Sequence, residues 1–177
     1  SIKLRLKIFL IAKKIRQIRL LILDFDGVLT NNSVYISEDG TEAVSCSRSD
    51  GLGIKAIKEA GYKIIVLSTE KNSVVGKRCE KLGLECHQGI NNKRDYTKKM
   101  ILHQHNLVFK NILYVGNDLN DLPMINAGCL TACPSDSHSQ VKKSCDITLT
   151  RKGGKGITMD VASFILGISV GRVLGYE

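Results

Sequence analysis

The chain has 177 residues, a formal net charge of +9 and 43% hydrophobic residues, which favours one soluble globular domain with a sizeable core. No run of about 18 uncharged apolar residues occurs, so no membrane-spanning helix is predicted. The six cysteines lack Cys-x-x-Cys spacing, which predicts reduced thiols and a cytoplasmic protein. Because no nucleic-acid-binding motif accompanies the positive charge, small anionic substrates are the predicted partners rather than nucleic acid.

Residues 1–19 carry much of the excess positive charge, with Lys and Arg alternating with Leu, Ile and Phe. This pattern predicts a basic amphipathic leading segment that packs beside the first strand and leaves a solvated basic face. Contact with a membrane surface or a partner is the less favoured alternative. We expect a main domain over residues 20–167 and a C-terminal tail over residues 168–177.

Predicted strands and helices alternate along the main domain. In chain order we predict strands at 20–23, 33–37, 41–46, 63–67, 84–86, 111–115, 129–132 and 146–149, and helices at 50–60, 72–81, 93–105, 119–127 and 157–165. The second and third strands form a projecting β-hairpin, and Asp50 is predicted to cap the first helix. The short connections elsewhere imply βαβ units, so the fold class is α/β: a three-layer Rossmann-like sandwich with a mainly parallel sheet.

Two carboxylates follow the first buried strand, in the run Asp24-Phe25-Asp26-Gly27. The carboxyl ends of parallel strands are where open α/β sheets bind ligands. Carboxylates this close stay ionised together only if a cation lies between them or one holds a proton. Mg²⁺ prefers carboxylate oxygens together with water and phosphate, and a carboxylate can attack phosphorus. A simple strand end and turn is the alternative reading.

Polar residues also follow the later strands of the predicted sheet. Ser68 and Thr69 come after one strand, where a hydroxyl and free backbone N–H groups can hold phosphoryl oxygens, or where Ser68 caps a helix. Lys93 opens a helix, either as a cation over the site or as a solvated lysine. The acidic loop 116–121 follows another strand and either completes a magnesium shell or caps the next helix.

These four elements, in this order and at these separations, resemble the haloacid dehalogenase superfamily over residues 20–167. Only the hairpin and one helix separate the first element from the second, so no separate cap domain is expected. The resemblance is to the capless branch that acts on octulosonate 8-phosphate or sialic-acid-like nonulosonate 9-phosphates, including a domain attached to some acylneuraminate cytidylyltransferases. Residues 48–53 and 153–156 are similar to that branch as well.

The resemblance implies catalytic roles for four residues. Asp24 is expected to attack phosphorus and form an aspartyl-phosphate. Asp26 is expected to protonate the leaving sugar oxygen and later to activate water. Ser68 and Lys93 are expected to bind the phosphoryl oxygens and stabilise the transition state. Such a covalent intermediate divides one difficult hydrolysis into two easier displacements.

The resemblance also implies Mg²⁺ as the cofactor, held by Asp24, by the backbone carbonyl of Asp26 and by the acidic loop. Many relatives have Asp directly after the loop glycine, whereas this chain has Asn117 followed by Asp118. The metal is therefore expected to contact the Asn117 carbonyl or the Asp118 carboxylate. Asp121 is expected to bind the metal, directly or through water, or to support the loop.

Charged residues outside the phosphate-binding residues are expected to select the substrate. Glu70 lies at the start of a predicted helix, and Arg78 and Lys81 share one face of it. We hypothesise that these three side chains reach the site of a neighbouring subunit, where they meet the carboxylate and hydroxyls of a sugar acid. Surface ion pairing is the alternative. Thr69 and Arg48 complete the predicted substrate-binding set.

A homotetramer is the assembly that the resemblance implies. Capless relatives form tetramers in which the hairpins associate and adjacent chains close each other's sites. The hairpin at 33–46 and the tail at 167–177 are the predicted contacts.

Three other readings compete with a sugar-acid phosphatase. The first is a non-catalytic oligomerisation domain of a cytidylyltransferase, with the acidic site as a remnant. A two-component receiver domain is disfavoured because its carboxylates come from different strands. A phosphoglucomutase is disfavoured because no cap is available to retain an intermediate.

Overall fold

The computed structural model describes Leu6, Ile8, Phe9 and residues 11–177. Its strands are β1 (Leu20–Leu23), β2 (Thr30–Ile36), β3 (Glu42–Cys46), β4 (Lys63–Leu67), β5 (Glu85–His87), β6 (Ile112–Val115), β7 (Leu130–Cys133) and β8 (Ile147–Thr148). Six of these strands form one sheet in the order β5-β4-β1-β6-β7-β8, and every neighbouring pair in it is parallel. The antiparallel pair β2-β3 is separate from that sheet, which confirms the predicted hairpin.

The helices follow the predicted alternation. They are α1 (Ala12–Ile15), α2 (Ser49–Glu59), α3 (Ser73–Leu82), α4 (residues 93–105), α5 (Leu122–Ile125), α6 (Ser139–Ser144), α7 (residues 157–165) and α8 (Val170–Val173). A π-helical turn interrupts α4 at Thr97–Ile101 and ends α7 at Val161–Ile165. The short helices α6 and α8 lie where the sequence predicted none.

Strand β1 occupies the middle of the sheet and is buried along its whole length. Its side chains alternate between the two faces, as β geometry requires. Leu21 and Leu23 belong to one hydrophobic cluster, which includes residues of α2, α3 and α7. Leu20 and Ile22 belong to a second cluster, which includes residues of α4, α5 and α6. Helices therefore cover both faces, and the three-layer prediction is confirmed.

The predicted capping role of Asp50 is wrong. The N-cap of α2 is Arg48, without a side-chain capping bond, and Asp50 lies inside the first turn. Asp50 is 1% exposed and accepts hydrogen bonds from the Thr158 backbone N–H and the Thr158 hydroxyl, each at 3.0 Å. Its carboxylate thus joins α2 to α7, because a buried acid needs donors and the first turn of α7 supplies them.

The leading segment is described only in part. Ile8, Ile11 and Ile15 pack against the first hydrophobic cluster, which agrees with a segment docked beside the sheet. Residues 1–5, Lys7 and Leu10 of the predicted leading segment lie outside the described residues. All six cysteines are free thiols, as predicted. Within the described part of the chain, no helix is both long enough and apolar enough to cross a bilayer.

Candidate active site

Asp24 and Asp26 lie at the carboxyl end of β1, on either side of the buried side chain of Phe25. Phe25 is fully buried, and the Asp24 backbone N–H donates to the Val115 carbonyl at 2.9 Å, which extends the pairing of β1 with β6. Asp24 is 5% exposed, and Asp26 is half-buried. Strands β4 and β6 pair with opposite edges of β1. The strand order therefore reverses at β1, and such switch points are where open α/β sheets bind ligands.

Lys93 enters the site from the first turn of α4 and is almost completely buried. Its Nζ donates to Asp24 Oδ1 at 2.8 Å and to Asp121 Oδ1 at 2.7 Å. The lysine side chain is 1% exposed, which excludes the alternative of a solvated lysine. A buried ammonium is tolerated only beside opposite charge, and two carboxylates supply it here.

Asp121 connects the lysine to the loop that follows β6. Its Oδ1 accepts from Lys93 and from the Tyr114 hydroxyl at 2.6 Å. Its Oδ2 accepts from the backbone N–H groups of Asn117 at 2.8 Å and Asp118 at 3.2 Å. Asp121 is fully buried, and both oxygens are occupied by donors. In this arrangement Asp121 holds both the loop and the Lys93 ammonium in place. Direct metal binding by Asp121 stays a prediction.

The Asn117 side chain turns toward the acidic pair. The terminal amide atom facing the site lies 2.7 Å from the Asp26 carbonyl oxygen and 3.2 Å from Asp24 Oδ2. With its nitrogen in that position, the amide donates two hydrogen bonds. With its oxygen there, a carboxylate, a backbone carbonyl and an amide oxygen converge on one point, which is the donor set that a hard divalent cation prefers.

Gly27 makes this approach possible. Its φ of +77° suits glycine, and a Cβ added to it would collide with the side-chain amide of Asn117. We expect Gly27→Ala to displace the Asn117 amide and to raise the divalent-metal concentration for half-maximal activity by about tenfold or more. Metal titration of the initial rate measures this.

Gly40→Ala is the matched control for that variant. Gly40 has a φ of +80° at the hairpin turn, and nothing lies within 4 Å of an added Cβ. Both variants therefore carry the backbone strain of alanine at positive φ, but only Gly27→Ala collides with the site. An identical metal dependence in the two variants would contradict the role given to Asn117.

The two carboxylates of the pair are both harder to ionise than usual. Burial, reinforced by Asp121, raises the pKa of Asp24 to about 7 despite the opposing charge of Lys93. Burial and the neighbouring Glu70 also raise the pKa of Asp26. Asp26 is thereby suited to hold and donate a proton, while a cation bound beside Asp24 would favour the ionised form of that carboxyl group.

Ser68 and Thr69 follow β4 at the same edge of the sheet. Ser68 is 1% exposed, its backbone N–H donates to the His87 carbonyl at 2.9 Å, and its Oγ accepts from the Glu70 N–H at 3.0 Å. The helix N-cap is Asn72 rather than Ser68, so Ser68 fixes the turn after the strand. Thr69 lines the cavity in front of the acidic pair.

That cavity has a volume of about 490 Å³ and is strongly acidic. Its walls carry the carboxylates of Asp24, Asp26, Glu42, Glu70 and Asp118. No lysine or arginine of the described residues lines it. Among the described residues, Lys93, beneath the cavity, is therefore the cation nearest to the acidic pair.

Three of the predicted substrate-binding residues lie away from this cavity. Arg48 is exposed, and Arg78 Nη2 donates to the Ser47 carbonyl at 2.9 Å. Lys81 lines a separate groove together with Lys55 of α2. Of the charged set, only Glu70 faces the acidic pair within one chain. A role for Arg78 and Lys81 in substrate binding therefore requires the site of a neighbouring copy.

Two site residues were missed by sequence reasoning. Tyr114 is fully buried in β6 and bonds to Asp121; the available signal was a single hydroxyl-bearing residue in an otherwise aliphatic strand. Glu42 lies at the start of β3, lines the cavity and accepts from Asn72 Nδ2 at 2.6 Å. Its side chain looked like any polar residue of an exposed hairpin, so the sequence carried no distinguishing signal.

The fold and this site define the class of the protein: a Rossmann-like hydrolase whose described residues include no separate cap domain. No protein-family model matches the chain. The 3-deoxy-D-manno-octulosonate 8-phosphate phosphatase KdsC of Escherichia coli K12 is 30% identical over 161 residues, which cover 88% of this chain and 83% of that protein. The chain therefore belongs to the haloacid dehalogenase (HAD) superfamily, among the phosphatases related to KdsC.

Solved structures agree with this assignment. A HAD family hydrolase from Streptomyces avermitilis MA-4680 matches with a TM-score of 0.83 and 37% identity over 88% of each chain. The cobalt-bound deoxy-D-mannose-octulosonate 8-phosphate phosphatase (YrbI) of Haemophilus influenzae matches with a TM-score of 0.80 and 27% identity over 92% of each chain. The expected superfamily is confirmed, and the described residues form no separate cap domain, as expected.

Proposed function

We propose that the protein is a magnesium-dependent phosphatase that hydrolyses the phosphate ester of a 3-deoxy sugar acid, either an octulosonate 8-phosphate or a nonulosonate 9-phosphate. The observation that carries the proposal is the buried contact between Lys93 and Asp24. An ammonium fixed beside a carboxylate lets an anionic nucleophile approach an anionic phosphoryl group. The names of the relatives support the octulosonate, and the Glu70-Lys71 sequence supports the nonulosonate.

In the first step, the Asp24 carboxylate attacks phosphorus, and the bond between phosphorus and the sugar oxygen breaks. Asp26 donates its proton to the departing sugar oxygen. In the second step, the ionised Asp26 takes a proton from water, and the resulting hydroxide attacks phosphorus. The bond between phosphorus and Asp24 breaks, which releases inorganic phosphate and restores the Asp24 carboxylate. Lys93 remains charged throughout and stabilises the phosphoryl oxygens, with Ser68 and Thr69 as additional donors.

The residues at the site fit a divalent cation. Asp24, the Asp26 carbonyl and the Asn117 amide would hold it, which explains why the described chain contains no cluster of three acidic, histidine or cysteine ligands. When bound, the cation supplies positive charge that neutralises phosphoryl oxygens. Asp118 also lines the cavity, although its Oδ1 accepts from the Leu119 N–H at 2.7 Å. The oxygen-only donor set favours Mg²⁺.

A substrate panel tests the proposal. We expect inorganic phosphate release from octulosonate 8-phosphate or nonulosonate 9-phosphate at a kcat/KM at least about 100-fold above that for hexose 6-phosphates, and loss of this activity with EDTA. Added Mg²⁺ should restore it. Equal rates on all sugar phosphates would contradict the proposed substrate class, and full activity in EDTA would contradict the metal.

We also propose that the working enzyme is a homotetramer with shared sites. A sugar-acid phosphate carries a carboxylate as well as a phosphate, yet the cavity of one chain presents five carboxylates and no basic side chain among its described walls. The hairpin meanwhile exposes Val34, Tyr35 and Ile36 at 49%, 62% and 69%. Burying these apolar side chains between copies would stabilise an assembly, and Arg78 or Lys81 of a neighbour would supply the missing charge.

Subunit complementation tests this sharing. We expect Asp24→Asn and Arg78→Ala to be nearly inactive on the sugar acid when expressed singly, whereas co-expressed mixed assemblies regain up to about a quarter of wild-type activity, because some sites then combine an intact Asp24 with a neighbour's Arg78. Light scattering reports the assembly. Lys98→Ala, on the exposed side of α4, is the control partner for Arg78→Ala and should be active alone. Absence of recovery in mixed tetramers, or a fully active monomer, would contradict shared sites.

The phosphatase domain is proposed to span residues 20–167, flanked by the leading segment 1–19 and the tail 168–177. The tail is not detached, since Ile168 is 9% exposed and Val170 and Leu174 pack against the first hydrophobic cluster. The free thiols support a cytoplasmic location, where reducing conditions keep cysteines unpaired.

A further inference from the structure

Tyr114 is a buried polar residue that the proposed chemistry does not yet use. It lies in β6, next to the central strand, and its register partner there is Ile22 of β1. The side chain is fully buried in the second hydrophobic cluster, among residues such as Leu67, Ile101 and Met124. A tyrosine hydroxyl in such surroundings is costly unless it finds a hydrogen-bond partner.

The partner is Asp121. The Tyr114 hydroxyl donates to Asp121 Oδ1 at 2.6 Å, the same oxygen that accepts from Lys93 at 2.7 Å. Burial and the carboxylates of Asp121 and Asp24 raise the pKa of Tyr114 well above its ordinary value, so the phenol keeps its proton and remains a donor. The phenol and the ammonium therefore share one oxygen of a buried carboxylate.

We propose that Tyr114 is a positioning residue of the phosphatase, whose hydroxyl holds Asp121 so that Lys93 stays shared between Asp121 and Asp24. The inference rests on phosphoryl transfer at Asp24, and it does not depend on which sugar is bound. Tyr114 would thus affect catalysis through Asp121, without contacting the substrate or the divalent cation itself.

The hydrogen bonds around Asp121 explain why the Tyr114 hydroxyl affects the position of Lys93. With two donors on Oδ1 and two backbone donors on Oδ2, each oxygen of Asp121 is balanced and the carboxylate cannot rotate. Without the phenol, Oδ1 retains only Lys93, and the electron-rich oxygen binds that ammonium more tightly. Lys93 is then drawn away from Asp24 and from the phosphoryl group, which weakens stabilisation of the transition state more than binding of the substrate.

Tyr114→Phe tests the proposal, because it removes one oxygen and preserves the ring. With Mg²⁺ and p-nitrophenyl phosphate as the substrate, we expect kcat to fall about tenfold while KM changes by less than about twofold. Tyr62→Phe is the matched control, since Tyr62 packs against the first hydrophobic cluster and lies outside the catalytic machinery. It should leave kcat and KM at wild-type values.

A double-mutant cycle with Asp121→Asn separates positioning from general packing. If Tyr114 acts through Asp121, Tyr114→Phe should lower kcat by less than about twofold in the Asp121→Asn background. Thermal unfolding without added metal supplies a readout independent of turnover, and the Tyr114→Phe protein should still unfold cooperatively.

The possible results distinguish failure of this inference from failure of the proposed function. A wild-type kcat in Tyr114→Phe, a loss confined to KM, an equal tenfold loss in both backgrounds, or loss of the fold would each overturn the inference. Failure of the wild-type protein to hydrolyse any phosphomonoester would instead contradict the proposed function. A wild-type enzyme that is active on the aryl phosphate but on no sugar acid would contradict only the proposed substrate.

Discussion

Asp24→Asn should abolish phosphate release, with a loss of about 10³-fold or more in kcat. The amide is nearly isosteric with the carboxylate and still accepts a hydrogen bond from Lys93, so the variant should fold. The variant lacks the anionic oxygen proposed to attack phosphorus. The other carboxylate beside Lys93, that of Asp121, is fully buried with donors on both oxygens. Single-turnover phosphate release, with acid quench to detect protein-bound phosphate, measures the effect.

The control for this variant is Asp39→Asn at the tip of the hairpin. Asp39 is exposed, and its Oδ1 accepts only from the Thr41 N–H at 2.9 Å. It should retain wild-type turnover and form the same phosphorylated intermediate. Turnover above about one per cent in Asp24→Asn, or protein-bound phosphate in that variant, would place the nucleophile elsewhere.

Lys93→Met should cost both activity and stability. The substitution leaves Asp24 and Asp121 facing each other without the buried ammonium that separates them. Removing one partner of a buried ion pair destabilises a protein by about 3–5 kcal/mol. For a chain of this size we expect the melting temperature to fall by roughly 6–20 °C. Calorimetry and steady-state kinetics measure the two losses.

Adding Asp121→Asn to Lys93→Met refines this result. The double variant removes one of the two carboxylates that lost their counter-charge, so it should recover part of the melting temperature but none of the turnover. Lys98→Met, on the exposed side of the same helix, is the control and should change neither. A melting temperature within about 2 °C of wild type for Lys93→Met would contradict the structural part of this argument.

The sequence predicted those parts of the fold that local patterns specify. Strand β4 was predicted with its observed bounds, and the apolar run at 20–23 was predicted as a buried strand followed by an acidic pair. The positions of Ser68 and Lys93 followed from their places at element ends. Each of these inferences uses only the order of residues along one element and the rule that parallel strands end at a common edge.

What the sequence could not predict depends on contacts between distant elements. Asp50 looked like a helix cap, and only the packing of α7 against α2 shows why its carboxylate turns to Thr158. Asp121 was predicted either to bind the metal or to support the loop, and the motif gave no sign that Tyr114 and Lys93 share one of its oxygens. Such competition for the same acceptor is invisible to motif spacing, because it is decided by three-dimensional neighbours.

The separation along the chain of the groups that meet at Lys93 has a consequence for how this enzyme matures. Its two carboxylate partners lie 69 and 28 residues away in the sequence. The hydrogen-bonded trio exists only when β1, β6 and α4 have all docked, which makes it a late product of folding. A chain in which any one of these three elements has not docked therefore lacks the charged contact on which the proposed chemistry depends.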